Sequence, residues 1–134
     1  MACPYFYPLV RFETSGWEIP PRLPLGEAYS GECRANGATF QPEESRLRQV
    51  CNLGYGRNCC ERFPESAAAD AVRFHVAKHR GKLIRLQYVF EKGCWPKEHG
   101  VIECSGAAVS SGPADELLRK QATAFLESYL RRRS

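Results

Sequence analysis

Five cysteines fall within the first 60 residues of this 134-residue chain: Cys3, Cys33, Cys51 and the adjacent pair Cys59 and Cys60. With Cys60 as the last member the spacing is C-x29-C-x17-C-x8-C. Four thiolates are what a tetrahedral zinc ion or a cubane iron–sulfur cluster requires. Neighbouring cysteines point in different directions, so one of the pair is expected to ligate. Cys60 is preferred because "CERFP" leaves the site through a proline, and Cys59 is its substitute. Seven cysteines is an odd number, and no export signal is apparent, which favours metal binding or redox work over a disulfide framework.

The spacing bears on which metal. Structural zinc sites usually contain a C-x2-C or C-x4-C knuckle, and none is present. Ferredoxin runs of C-x2-C-x2-C are absent too. Single cysteines at wide intervals suit a [4Fe–4S] cluster that staples irregular segments, with zinc as the alternative. Arg57 and Arg62 bracket the cysteine pair and are expected beside the cluster, where their charge would offset that of the thiolates. Tyr5, Phe6, Tyr7, Tyr55 and Phe63 could form an apolar shell around it. Cys94 and Cys104 read as small buried hydrophobes. His75 and His79 are four apart but fall on a strand and its turn, where they would not face one way.

The stretches "CPYFYP", "RLPLGEAYSGEC", "CNLGYGRNCCERFP" and "AVRFHV" together resemble a group of small uncharacterised bacterial cysteine-rich proteins read as iron–sulfur proteins. The resemblance spans most of the chain. It implies a metal site at Cys3, Cys33, Cys51 and Cys60 and no particular activity.

The elements that must position these residues divide the chain in two, within one expected domain over 1–134. Residues 1–66 hold most of the prolines and have little periodicity, so "EIPPRLPLGEAYSGECRANG" reads as ordered loop. A short helix is expected over "PEESRLRQVCNLG", with Pro42 at its first position, Cys51 on its last turn and Gly54 as its stop. Residues 67–134 alternate first and then turn helical. "AVRFHVAK", "KLIRLQYVFEK" and "VIEC" predict a three-stranded antiparallel meander. Leu118, Ala122, Phe125 and Tyr129 recur at helical spacing, which predicts an amphipathic C-terminal helix covering the sheet. The expected fold is therefore α+β: a loop-rich cysteine lobe, a three-stranded sheet and a helix.

The net charge of +4 is uneven, because residues 1–66 carry seven Arg and no Lys against eight acids. The cations of the hairpin, such as Arg73, Lys78, Arg80 and Arg85, lie opposite its apolar face, as on any solvated sheet. Nucleic acid is thus the less favoured partner. No apolar run reaches membrane-spanning length, so no membrane is expected and the cytoplasm is the expected compartment. No phosphate loop, zinc-protease motif or nucleophile elbow occurs, and the balance leans away from an enzyme. The expectation is a small iron–sulfur protein for electron transfer or redox sensing, with a redox or other protein partner. The alternative is a zinc-stabilised module that binds nucleic acid or protein.

Overall fold

The computed structural model describes residues 2–11, 25, 28–57 and 60–133. It contains two antiparallel sheets rather than one. A ribbon pairs β1 (Phe6–Arg11) with β2 (Tyr29–Cys33), and a four-stranded sheet runs in the order β3 (Ala71–Arg80), β4 (Leu83–Lys92), β5 (Trp95–Ser105), β6 (Ala108–Ser111). The three-stranded meander is therefore corrected to four strands, and the loop-rich lobe to one built on a ribbon. The class remains α+β.

Both corrections have a local cause. β1 carries Pro8, where the register shifts, and β2 carries Gly31. These residues are depleted in strands, so the period-2 signal is broken. Gly31 is required here, since a Cβ would overlap the Tyr7 carbonyl oxygen and lie 2.9 Å from Pro8 Cα. The residues from 18 to 24, and 26 and 27, of the expected loop lie outside the described residues. β5 extends well ahead of "VIEC" because Pro96 sits beside a bulge opposite Glu91, where a missing N–H is tolerated. β6 is only four residues long, with Val109 its one larger apolar side chain, and is held by pairing to β5.

The expected hairpin forms. Val72, Phe74 and Val76 pair with Phe90, Tyr88 and Leu86, and Gly81 makes the turn with φ +60°. The short helix is different in kind. α1 (Glu44–Arg46) has Glu43 as its N-cap, so Pro42 lies before the helix, and it runs into a π-helical turn at Leu47–Cys51. There Asn52 N–H donates to Leu47 C=O at 3.2 Å, and Gly54, at φ +79°, ends the segment.

α2 (Glu116–Arg133) joins the two sheets. The Phe125 ring lies 5.7 Å from that of Phe74 on β3, as the apolar stripe predicts. An adjoining stripe of Gln121, Ala124 and Ser128 meets the ribbon. Gln121 Nε2 donates to the carbonyls of Cys3 and Phe6, each at 2.7 Å, and Tyr29 Oη donates to Ala124 C=O at 2.9 Å. One continuous core results, running from Phe6 and Leu47 through Val72, Ile84 and Leu86 to Leu118 and Leu126.

Candidate functional site

Cys3 sits where the N-terminal segment crosses the start of β3. Ala2 exchanges backbone hydrogen bonds with Val72 at 2.7 and 2.8 Å, and Cys3 N–H donates to Cys51 C=O at 3.1 Å. Cys33 ends β2, where it exchanges bonds with Phe40 at 2.7 and 2.9 Å. Cys51 closes the π-helical turn. π-turns recur at functional sites because the extra residue re-aims the side chains that follow. The buried Asn52 side chain fixes that turn to β2, accepting from Tyr29 N–H and donating to the carbonyls of Tyr29 and Leu47. Cys60 N–H donates to Gly56 C=O at 2.7 Å. A Cβ on Gly56 would lie 2.7 Å from Val50 Cγ1 and 3.3 Å from Cys60 Cβ, so only glycine lets this loop fold so closely upon the turn.

These four segments bring Cys3, Cys33, Cys51 and Cys60 to the wall of one cavity, closed by Tyr5, Val50 and Phe63 among others. Cys3 and Cys51 are buried, and Cys33 and Cys60 are half-buried. All four are free thiols. Burial pushes the Cys3 thiol up to about 12, and the nearby Cys33 and Cys60 add to the rise. Burial pushes Cys51 up as well, reinforced by Cys3, Cys33 and Cys60, while Arg46 pulls the other way. Cys33 and Cys60 thus lie near enough to act on both buried thiols.

The donor set is that of a tetrathiolate centre, but the space is tight. The cavity has a volume of about 10 Å³, room for one water-sized body. Among the described residues, no three His, Cys, Asp or Glu side chains come together closely enough to hold a single metal ion. A tetrahedral zinc site, with Zn–S bonds of about 2.3 Å, would need the sulfurs to close in. A cubane would need the walls to part.

The arginines are arranged differently from expectation. Arg62 lines the cavity, with its guanidinium 3.8 Å from the Phe40 ring centre. Arg57 does not line it. Its Nε donates to Asp70 at 2.8 Å, Nη1 to Glu65 C=O at 2.7 Å and Nη2 to Ala67 C=O at 3.0 Å. Arg57 thus shapes the loop and does not face the thiols. Its place is taken by Arg46, which lines the cavity with its guanidinium 5.8 Å from the Phe40 ring centre. Arg46 could have been found from the sequence: it lies five residues before Cys51 on the expected helix. Gln121 could not, because it holds Cys3 from 118 residues away.

Cys59 lies outside the described residues. Cys104 is buried as expected, but Cys94 is exposed in the β4–β5 turn with φ +69°. The histidines are not drawn together: His79 contacts Tyr129 Oη and Gly81 C=O, and His75 is exposed. Of the expected aromatic shell, Tyr5 and Phe63 reach the cavity, packed edge to face at 5.8 Å, whereas Tyr55 donates to Glu91 at 2.6 Å elsewhere. No helix is long and apolar enough to cross a membrane among the described residues. Comparison of the chain with family models, curated proteins and solved structures finds no match. The functional reading therefore rests on the residues themselves.

Proposed function

We propose that the chain is a small iron–sulfur protein, with Cys3, Cys33, Cys51 and Cys60 as ligands of a [4Fe–4S] cluster, serving electron transfer or redox sensing. One observation carries the reading: four cysteines separated by up to 57 positions share the wall of a single, largely apolar cavity. Such a cluster, when bound, supplies one-electron chemistry. The chain supplies four thiols, two arginines that offset negative charge, and the rings of Tyr5 and Phe63 that keep water out. Because Cys3 is buried, the approach for a redox partner is on the side of the half-buried Cys33 and Cys60.

The small cavity volume favours a second reading, a zinc ion with a purely structural role in a module that binds protein or nucleic acid. Anaerobic purification followed by iron, sulfide and zinc analysis and a visible spectrum separates the two. A brown protein with about four irons supports the cluster. A colourless protein with about one zinc replaces it with the second reading. A protein without either metal overturns both.

A further inference from the structure

A second cavity, of about 340 Å³, opens between the N-terminal segment, the β4–β5 face and the start of α2. That volume is in the range of small-molecule sites. Three aromatic rings, of Tyr5, Tyr88 and Phe90, form part of its wall beside aliphatic residues such as Leu117 and Leu118. Tyr88 and Phe90 meet edge to face, 5.8 Å between centres and 76° between planes, so they make a corner for a flat ring. The corner depends on Gly100, which pairs with Tyr88 and whose Cβ would collide with the phenol. Tyr5 also borders the cysteine cavity, so one ring separates the two spaces.

The polar groups narrow the ligand. The hydroxyls of Tyr5 and Tyr88 have no hydrogen-bond partner among the described residues. A phenol is neutral near pH 7 and carries one O–H, so each can donate to a bound acceptor. Lys97 Nζ is anchored on Ala68 C=O at 2.8 Å. Asp115 Oδ1 is occupied by Leu118 N–H at 3.1 Å. One ammonium against the two carboxylates of Glu98 and Asp115 gives the rim a net negative charge, which disfavours an anion. The Lys97 ammonium is the one lining group that repels a cation, and the cationic control below tests that side.

We propose that this pocket binds a neutral, planar, fused-ring aromatic molecule bearing ring carbonyls that accept from Tyr5 and Tyr88. The assignment is independent of what the cysteines hold. Lumichrome, a neutral tricyclic with two ring carbonyls, is the probe, with 2-naphthoate and phenyltrimethylammonium as anionic and cationic controls. Equilibrium dialysis against the full chain as purified should show saturable one-site binding of lumichrome and weaker binding of both controls. Tyr88→Phe keeps the ring and should weaken lumichrome about five-fold, the loss of one neutral hydrogen bond. Leu117→Trp, which fills the cavity, should abolish binding while circular dichroism stays unchanged. Tighter binding of either control, no saturable binding of lumichrome, or a Tyr88→Phe variant with unaltered affinity would overturn the proposal.

Discussion

At the scale of the residue, the thiols of Cys3 and Cys51 decide how the site responds to pH. Burial holds both protonated near neutrality, so ligation must displace protons, and metal affinity should rise with pH. For the metal-free protein the sign is opposite. A thiol whose folded pKa lies above its ordinary value of 9.0 stabilises the fold below that pH, and the contribution is lost as pH climbs toward about 12. Urea unfolding of metal-free protein at pH 8 and pH 10.5 should show the midpoint fall at the higher pH, and Cys3→Ala should reduce that fall. An unchanged midpoint in the unsubstituted protein would contradict a buried, protonated Cys3. Serine replacement separates ligands from bystanders. Cys3→Ser, Cys33→Ser, Cys51→Ser or Cys60→Ser should each lower bound metal to below about half, while Cys94→Ser and Cys104→Ser should leave it intact. Normal metal content in a Cys60→Ser protein would pass the fourth position to Cys59.

At the scale of the element, the ribbon and α2 are what hold the cysteine segments against one another. Gln121 satisfies the carbonyls of Cys3 and Phe6 from within the core, and its own Oε1 is buried without a partner among the described residues. Gln121→Leu should cost about 2 kcal/mol, the usual penalty for stranding buried acceptors, read from the urea midpoint. A neutral result would mean that those carbonyls find other donors. Gly31→Ala tests the ribbon: its Cβ would meet the β1 backbone, which cannot yield as a flexible side chain can, so loss of about 2 kcal/mol or more is expected. The strands carrying Val72 to Val76 and Ile84 to Phe90 were legible because period-2 alternation survives along them. β1, β2 and β6 were not, because Pro8, Gly31 and the four-residue length of β6 erase that signal while pairing with a neighbour still rewards the strand.

At the scale of the whole molecule, the cysteine lobe is latched to the sheet by two buried carboxylates. Asp70 accepts from Arg57 in the lobe and from Gly93 N–H, at 2.8 Å each, in the β4–β5 turn. Glu91 takes Tyr55 at 2.6 Å and Arg73 at 2.7 Å. Burial works to raise the pKa of Asp70, but the Gly93 N–H and the Arg57 guanidinium together outweigh it and hold the carboxyl below its usual range. Burial opposes the same outcome at Glu91, where Tyr55 and Arg73 prevail. Both latches therefore stabilise the fold above the ordinary carboxylate range and are lost as pH falls below about 4. Asp70→Asn should flatten part of the acid limb of the stability profile and loosen the 51–60 loop, seen as faster amide exchange there. A profile identical to that of the unsubstituted protein would remove Asp70 from the latch.

The cysteine spacing, the hairpin of β3 and β4 and the apolar stripe of α2 could all be read from the sequence alone. Each is written locally, in residue type or in a period of 2 or 3.6. Long-range packing brings Cys3, Cys33, Cys51 and Cys60 to one cavity, lines it with Arg46 and not Arg57, and lets Gln121 hold the Cys3 carbonyl from the far end of the chain. Those relations depend on how a ribbon interrupted by Pro8 and Gly31 docks on α2. Docking is set by long-range packing and by the pairing of buried backbone groups, which leave no period in the sequence.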